Sequence, residues 1–311
     1  MRHRLGALLA AIVLLLVPSA ASAAIATSPS GFRDGYADNL GTRVHYVVGG
    51  HGPALVLLHG WPETWRTWAK VAPNLTRDHT VVMIDLRGLG DSQPARTDAG
   101  NYTALAVASD VRSVVLRLHL GTIDIAGHDW GAQVALAYAV AHRNDVRRLA
   151  LLEAPPTSDY LNLVQQNPRA FWWDWFINGP RGDLAEQLVA GREREFYLPF
   201  YETANGAISR REENEYIAAY SRPSSTHAGF EFFRQQDEGL HAVDQLIAKD
   251  GKLTIPVLGV GGENSSGGLV GQDLPRVATN VTTAIVPGTD HWLIEENPTY
   301  VTDLFTRFFH S

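Results

Sequence analysis

Three side chains stand where their types can do chemistry. Asp129 is flanked by glycines in Gly127-His128-Asp129-Trp130-Gly131, His291 sits in Gly288-Thr289-Asp290-His291-Trp292, and Glu153 follows the expected strand Val146 to Leu152, whose end from Leu149 is apolar. A carboxylate with a reference pKa near 3.9 is ionised at neutral pH, so Asp129 can attack an electrophilic carbon without a general base. The product of that attack is an alkyl ester on the enzyme. Its hydrolysis calls for a water activated by a neutral histidine that a carboxylate holds in place. His291 is the candidate base, and the charge of Glu153 at the end of an apolar strand is explained if it faces a partner.

These residues need a frame. The strand-like run Gly121 to Ala126 leads into the Asp129 pentapeptide and the small-residue, helix-prone run Ala132 to Ala139 leads out. A strand that reverses into a helix over one glycine-flanked residue lifts that side chain clear of the sheet. Arg43 to Val47 alternates with period 2, whereas Ala54 to Leu58, Val81 to Ile84 and Leu149 to Leu152 are unbroken apolar runs within the expected strands Ala54 to Leu58, Thr80 to Ile84 and Val146 to Leu152, which suits strands covered on both faces. Tyr102 to Leu118 carries a helical apolar stripe. Alternating strands and helices predict a mostly parallel sheet with helices on both faces and a site at the strands' carboxyl ends. From about Pro156 to Leu246 the alternation stops and the chain turns helical and aromatic, with Phe171-Trp172-Trp173-Asp174-Trp175-Phe176 and Phe230-Glu231-Phe232-Phe233-Arg234. The predicted organisation is a core of residues 24–155 and 247–311 interrupted by a helical cap of residues 156–246.

The 311 residues carry a formal net charge of −7 and no cysteine, which excludes a disulfide framework, thiol chemistry and a cysteine metal site. An acidic balance without basic runs argues against nucleic-acid binding. The start, Arg2-His3-Arg4 followed by an apolar run from Leu5 to Val17 and small residues to Ala24, reads as a signal peptide over residues 1–23 and predicts a secreted or periplasmic protein. That apolar run is short of the roughly 20 residues a membrane span requires.

In combination, His59-Gly60-Trp61-Pro62, the loop Asp85 to Ser92, Gly127 to Ala132 and Gly288 to Trp292 resemble the epoxide hydrolase and haloalkane dehalogenase branch of the α/β-hydrolases. Leu152 to Pro155, Leu184 to Arg194 and Phe230 to Arg234 are most similar to the secreted Cif-like epoxide hydrolases within it. The resemblance implies an α/β-hydrolase fold, a mostly parallel eight-stranded sheet flanked by helices with an inserted helical lid. It also implies a cofactor-independent, metal-free hydrolase that works through Asp129, His291 and Glu153. The rival acid is Glu263, in the loop where many epoxide hydrolases carry an aspartate; Ser265 takes that aspartate's own place. The oxyanion hole would be the backbone N–H groups of Trp61 and Trp130, with His59 and Asp85 bracing these loops.

Trp173, Phe233, Phe176 and His128 are expected to line the substrate and leaving-group pocket. Epoxide hydrolases supply a proton to the opened ring from paired lid tyrosines, or from a histidine and a tyrosine in Cif-like members. Here those positions hold Trp173 (or Asp174) and Phe233, and Phe233 cannot donate. The donor would then be Tyr197, Tyr201, Tyr216 or Tyr220. A halide needs only N–H donors, which the indoles of Trp130 and Trp173 offer. The expected function is therefore an epoxide hydrolase acting on a small apolar electrophile. The alternatives are a haloalkane or haloacid dehalogenase and a catalytically impaired binding protein; a homodimer is compatible with each.

Overall fold

The computed structural model describes residues 28–310, so the expected signal peptide lies outside the described residues. Eight strands form one sheet: β1 (Phe32–Asn39), β2 (Thr42–Gly50), β3 (Ala54–Leu58), β4 (Thr80–Ile84), β5 (Ile123–His128), β6 (Val146–Leu152), β7 (Leu253–Gly262) and β8 (Ala278–Val286). Their order is β1-β2-β4-β3-β5-β6-β7-β8, and only β2 runs against the rest. Strand β3 is apolar throughout because alternate side chains enter different cores. Ala54, Val56 and Leu58 of β3 join one cluster, and Leu55 and Leu57 join the other, with Trp65, Trp68 and Phe305. Truncating Leu57 to alanine there would cost about 2–5 kcal/mol.

The helices before the last two strands are α1 (Ala72–Leu75), α2 (Ala104–Arg117) and α3 (Trp130–Ala141), then α4 (Asp159–Gln166), α5 (Trp172–Ile177), α6 (Leu184–Val189), α7 (Glu193–Glu202), α8 (Arg210–Tyr220), α9 (Pro223–Arg234) and α10 (Gln236–Asp250). After β7 come α11 (Leu269–Asp273), α12 (Leu293–Glu296) and α13 (Pro298–His310). Helix α3 is buried along nearly its whole length, which explains its apolar sequence without an amphipathic stripe. Helix α8 starts on a capping box, Ser209 and Glu212 each satisfying the other's backbone N–H. Helices α4 to α9 lie between β6 and β7. The boundary expected at residue 246 falls inside α10, a continuous helix that packs on α2 and α3 and so belongs with the core.

The strand β5 runs two residues beyond the expected Ala126, because its ladder with β6 continues through Gly127 opposite Leu151 and His128 opposite Leu152. The carboxyl ends of β3, β5, β6, β7 and β8 thus open on one side, under the helices α4 to α9. No helix among the described residues is long and apolar enough to cross a membrane.

Candidate active site

Asp129 occupies the turn between β5 and α3 with φ 52° and ψ −120°, a left-handed conformation that costs a non-glycine residue about 1–3 kcal/mol. The surroundings hold it there. Its N–H donates to the Leu152 carbonyl at 2.9 Å, and its own carbonyl accepts from Ala132 N–H at 2.9 Å. A Cβ on Gly127 would collide with the backbone of Gly131, and one on Gly131 with the carbonyls of Leu58 and His59, so the elbow closes only with both glycines. On the carboxylate, Oδ1 accepts from Trp61 N–H at 2.8 Å. Trp61 precedes a cis Trp61-Pro62 bond. The N–H of Trp130, first residue of α3, has no acceptor within its own helix.

The other oxygen, Oδ2, stands 3.7 Å from His291 Nε2, and His291 Nδ1 meets Glu153 Oε2 at 3.1 Å. Glu153 shares with Asp129 a positive φ, 62°, which turns it back from the end of β6. Its side chain is sealed from solvent. It also accepts from Gly262 N–H (2.5 Å), Ser266 Oγ (2.8 Å) and Ser265 Oγ (2.7 Å). Burial alone would raise its pKa, but the hydrogen bonds from His291, Gly262 and Ser265 hold it below the usual carboxylate range. Burial likewise pulls His291 down, and the Glu153 hydrogen bond with the charges of Asp129, Glu153 and Glu63 overcomes it, leaving His291 at about 9. The two serines gave no signal of this role in the sequence beyond Ser265 standing where an acid was sought.

The rival acid does not reach the imidazole. Glu263 Oε2 accepts from Gly288 N–H at 2.7 Å, so it steadies the loop that carries His291 and not the ring. The Asp85 carboxylate accepts from Trp65 N–H, Asp91 N–H and His45, while His59 accepts from Leu86 N–H at 3.0 Å and donates to Gly60 O at 2.7 Å. Both brace the loops.

The mouth above Asp129 is a cavity of about 540 Å³, mostly apolar, walled by Trp61, Trp130, Trp172, Trp173, Phe200 and Phe233 among others. Two expectations about it need correction. His128, the last residue of β5, points to the opposite face from its neighbour Asp129, as strand alternation requires, and is fully buried against Glu63 behind the cavity. Phe176 turns into the cap, with its ring 5.7 Å from that of Phe196, and does not line the cavity.

The four cap tyrosines also serve elsewhere. Tyr201 OH donates to Pro62 O at 2.5 Å and Tyr220 OH to Glu63 O at 2.9 Å, fastening the cap to the loop after β3. Tyr216 OH reaches Glu295 at 3.3 Å, and Tyr197 is buried against Trp61 and Tyr220. The tyrosine in the cavity wall is Tyr160, which the sequence did not single out because nothing marked the eight-residue helix α4.

A model of the alpha/beta hydrolase fold family matches residues 53–298. The chain is 34% identical over 276 residues to the soluble epoxide hydrolase of Corynebacterium sp. (strain C12), covering 86% of this chain and 94% of that protein. It is 32% identical over 203 residues to the fluoroacetate dehalogenase of Burkholderia sp., covering 63% of this chain and 67% of that protein. Among solved structures, the Cif epoxide hydrolase from Acinetobacter nosocomialis is similar with a TM-score of 0.83 and 25% identity, over 91% of this chain and 90% of that one.

Proposed function

The chain belongs to the α/β-hydrolase fold family, and from that premise we propose that it opens epoxides to vicinal diols through an ester on Asp129. One observation carries this reading: Asp129 Oδ2, His291 Nε2 and Glu153 form an unbroken line, 3.7 Å and then 3.1 Å, at the floor of an apolar cavity. In the first step Asp129 attacks a ring carbon, a C–O bond of the epoxide breaks, and the alkyl ester forms. In the second, His291 takes a proton from water and the hydroxide adds to the ester carbonyl. The N–H groups of Trp61 and Trp130 receive the oxyanion. Collapse of the intermediate frees the diol and restores the carboxylate.

The charges make the steps self-timing. In the resting enzyme His291, at about 9, is protonated at neutral pH, in part because Asp129 is beside it. Esterification removes the charge of Asp129. The imidazole then loses one of the groups that raise its pKa, at the moment a base is needed.

The epoxide hydrolase and dehalogenase relatives support this class of chemistry. Among the described lining residues no arginine or lysine is present, while Asp129 and Glu153 are. A substrate carboxylate about 4 Å from either would meet roughly 4 kcal/mol of repulsion at an effective dielectric of 20. Neutral substrates are favoured over haloacids. Haloalkanes remain the second reading because Trp130 and Trp173, both in the wall, bear indole N–H groups suited to a halide. Diol and halide release over a panel of neutral epoxides and haloalkanes, with Asp129→Ala as control, tests the assignment. We also propose export, supported by the basic, apolar and small-residue order of residues 1–23; a mature protein that does not begin near Ala24 would contradict it.

A further inference from the structure

Attack on an epoxide places negative charge on the ring oxygen, and an alkoxide is a poor leaving group until it is protonated. Phe233 has no proton to give, and the hydroxyls of Tyr201, Tyr216 and Tyr220 are bonded away from the cavity. Ser265 and Ser266 donate to Glu153. An indole N–H can stabilise an anion but is too weak an acid to surrender its proton. Of the 10 tyrosines in the sequence, Tyr160 is the one in the cavity wall.

We propose that Tyr160, in the first turn of α4, is the acid that protonates the epoxide oxygen as Asp129 forms the ester; this rests on the epoxide reading above. Tyr160 shares the cavity with Asp129 and His291. Its ring meets Phe171 edge-on, with centroids 5.9 Å apart. The start of α4 is tied to the core: Asp273 accepts from Thr157 N–H (3.0 Å) and Thr157 Oγ1 (2.8 Å), and Asp244 accepts from Ser158 N–H (3.2 Å). The donor is thus carried on an anchored segment. No residue among those described takes a hydrogen bond from the Tyr160 hydroxyl, so its proton is available to a substrate.

Burial and then the charge of Asp129 oppose ionisation of Tyr160, which keeps the proton on the phenol in the resting enzyme. When Asp129 becomes an ester its charge disappears and that opposition weakens. The proton passes from the phenol to the ring oxygen as the C–O bond breaks. Once Asp129 is esterified, His291 gives up its resting proton, which returns through solvent to the phenolate, and during hydrolysis it is recharged by a proton taken from water. The cycle closes with no other reagent.

The test is the rate of adduct formation in Tyr160→Phe, followed by intact mass in a single turnover with a terminal epoxide and with a bromoalkane of matched chain length. A positioned acid contributes on the order of 10²–10⁴-fold. The expected result is a loss of at least about 100-fold with the epoxide and an unchanged rate with the bromoalkane, whose halide leaves without a proton. An unchanged epoxide rate, or an equal loss with both substrates, overturns the proposal. The substitution removes a hydroxyl with no protein partner, so the fold is retained, and an unaltered melting temperature verifies this. Failure of the underlying reading looks different: wild type then forms no adduct on Asp129 with either substrate.

Discussion

His128 holds the backbone of His291: Nε2 of the buried imidazole donates to the His291 carbonyl at 2.8 Å, while Nδ1 meets Glu63 Oε2 at 3.0 Å. A carbonyl only accepts, so Nε2 bears the proton. Burial lowers the pKa of His128 and raises those of Glu63 and Glu295, so it disfavours charge on each of the three. Neither Glu63 Oε1 nor Glu295 Oε2 has a donor among the described residues. Thr67 and Tyr216 donate to the remaining Glu295 oxygen at 2.8 and 3.3 Å. This chain supports His291 from below, while Glu153 orients its ring.

Removing the support should therefore slow the step that uses His291 as a base. His128→Ala gives up one buried hydrogen bond to the His291 backbone, worth about 1–3 kcal/mol. Ester hydrolysis is expected to fall by roughly 10- to 100-fold with ester formation nearly unchanged. Pre-steady-state kinetics separate the two. Equal slowing of both steps would show a general loss of structure instead.

Stability should depend on pH through His291. Its folded pKa is raised from 6.5 to about 9, so the stabilisation from the protonated form is complete below pH 6.5 and disappears as pH rises through about 9. The melting temperature of wild type is expected to fall across that window more steeply than that of His291→Gln. Parallel curves would contradict the ion-pair arrangement with Asp129 and Glu153.

The two candidate acids separate by mutation. Glu153→Gln keeps the shape but loses the charge that holds the imidazole, and kcat is expected to drop by about 10³–10⁴. Glu263→Gln touches only the Gly288 N–H and should change kcat by no more than a few-fold. The reverse ranking, read by steady-state assay on one epoxide, would move the acid to Glu263.

Charge in the cavity should select against anions. Fluoroacetate is expected to release no fluoride above background under conditions that turn over a neutral epoxide, because Asp129 faces the cavity and no arginine or lysine is among the described lining residues. Appreciable fluoride release, measured by ion-selective electrode, would require another way to hold a carboxylate.

The sheet was readable because its strands are covered on both faces. Ala54 to Leu58, Val81 to Ile84 and Leu149 to Leu152 are apolar without a break, and the expected strands Ala54 to Leu58, Thr80 to Ile84 and Val146 to Leu152 match β3, β4 and β6 end for end. The elbow was readable because closing it requires glycines at 127 and 131. Side-chain direction was less so. His128 is next to Asp129 in sequence yet faces the other way, and Phe176 belongs to an aromatic run whose members divide between the cavity and the cap interior. The partners of Glu153 lie more than 100 residues away, at Gly262, Ser265 and Ser266, a separation that local pattern does not bridge. Glu63 and Glu295 carry no periodic signal that marks them.

The central claim is the covalent ester on Asp129, and trapping it is the most direct test. His291→Gln incubated with a terminal epoxide should gain the mass of one whole epoxide, mapped by peptide sequencing to Asp129, and the further change Asp129→Asn should abolish the gain. A haloalkane would add its mass less the hydrogen halide, which distinguishes the two leaving groups in the same spectrum. No adduct, or an adduct on any other residue, would contradict the account.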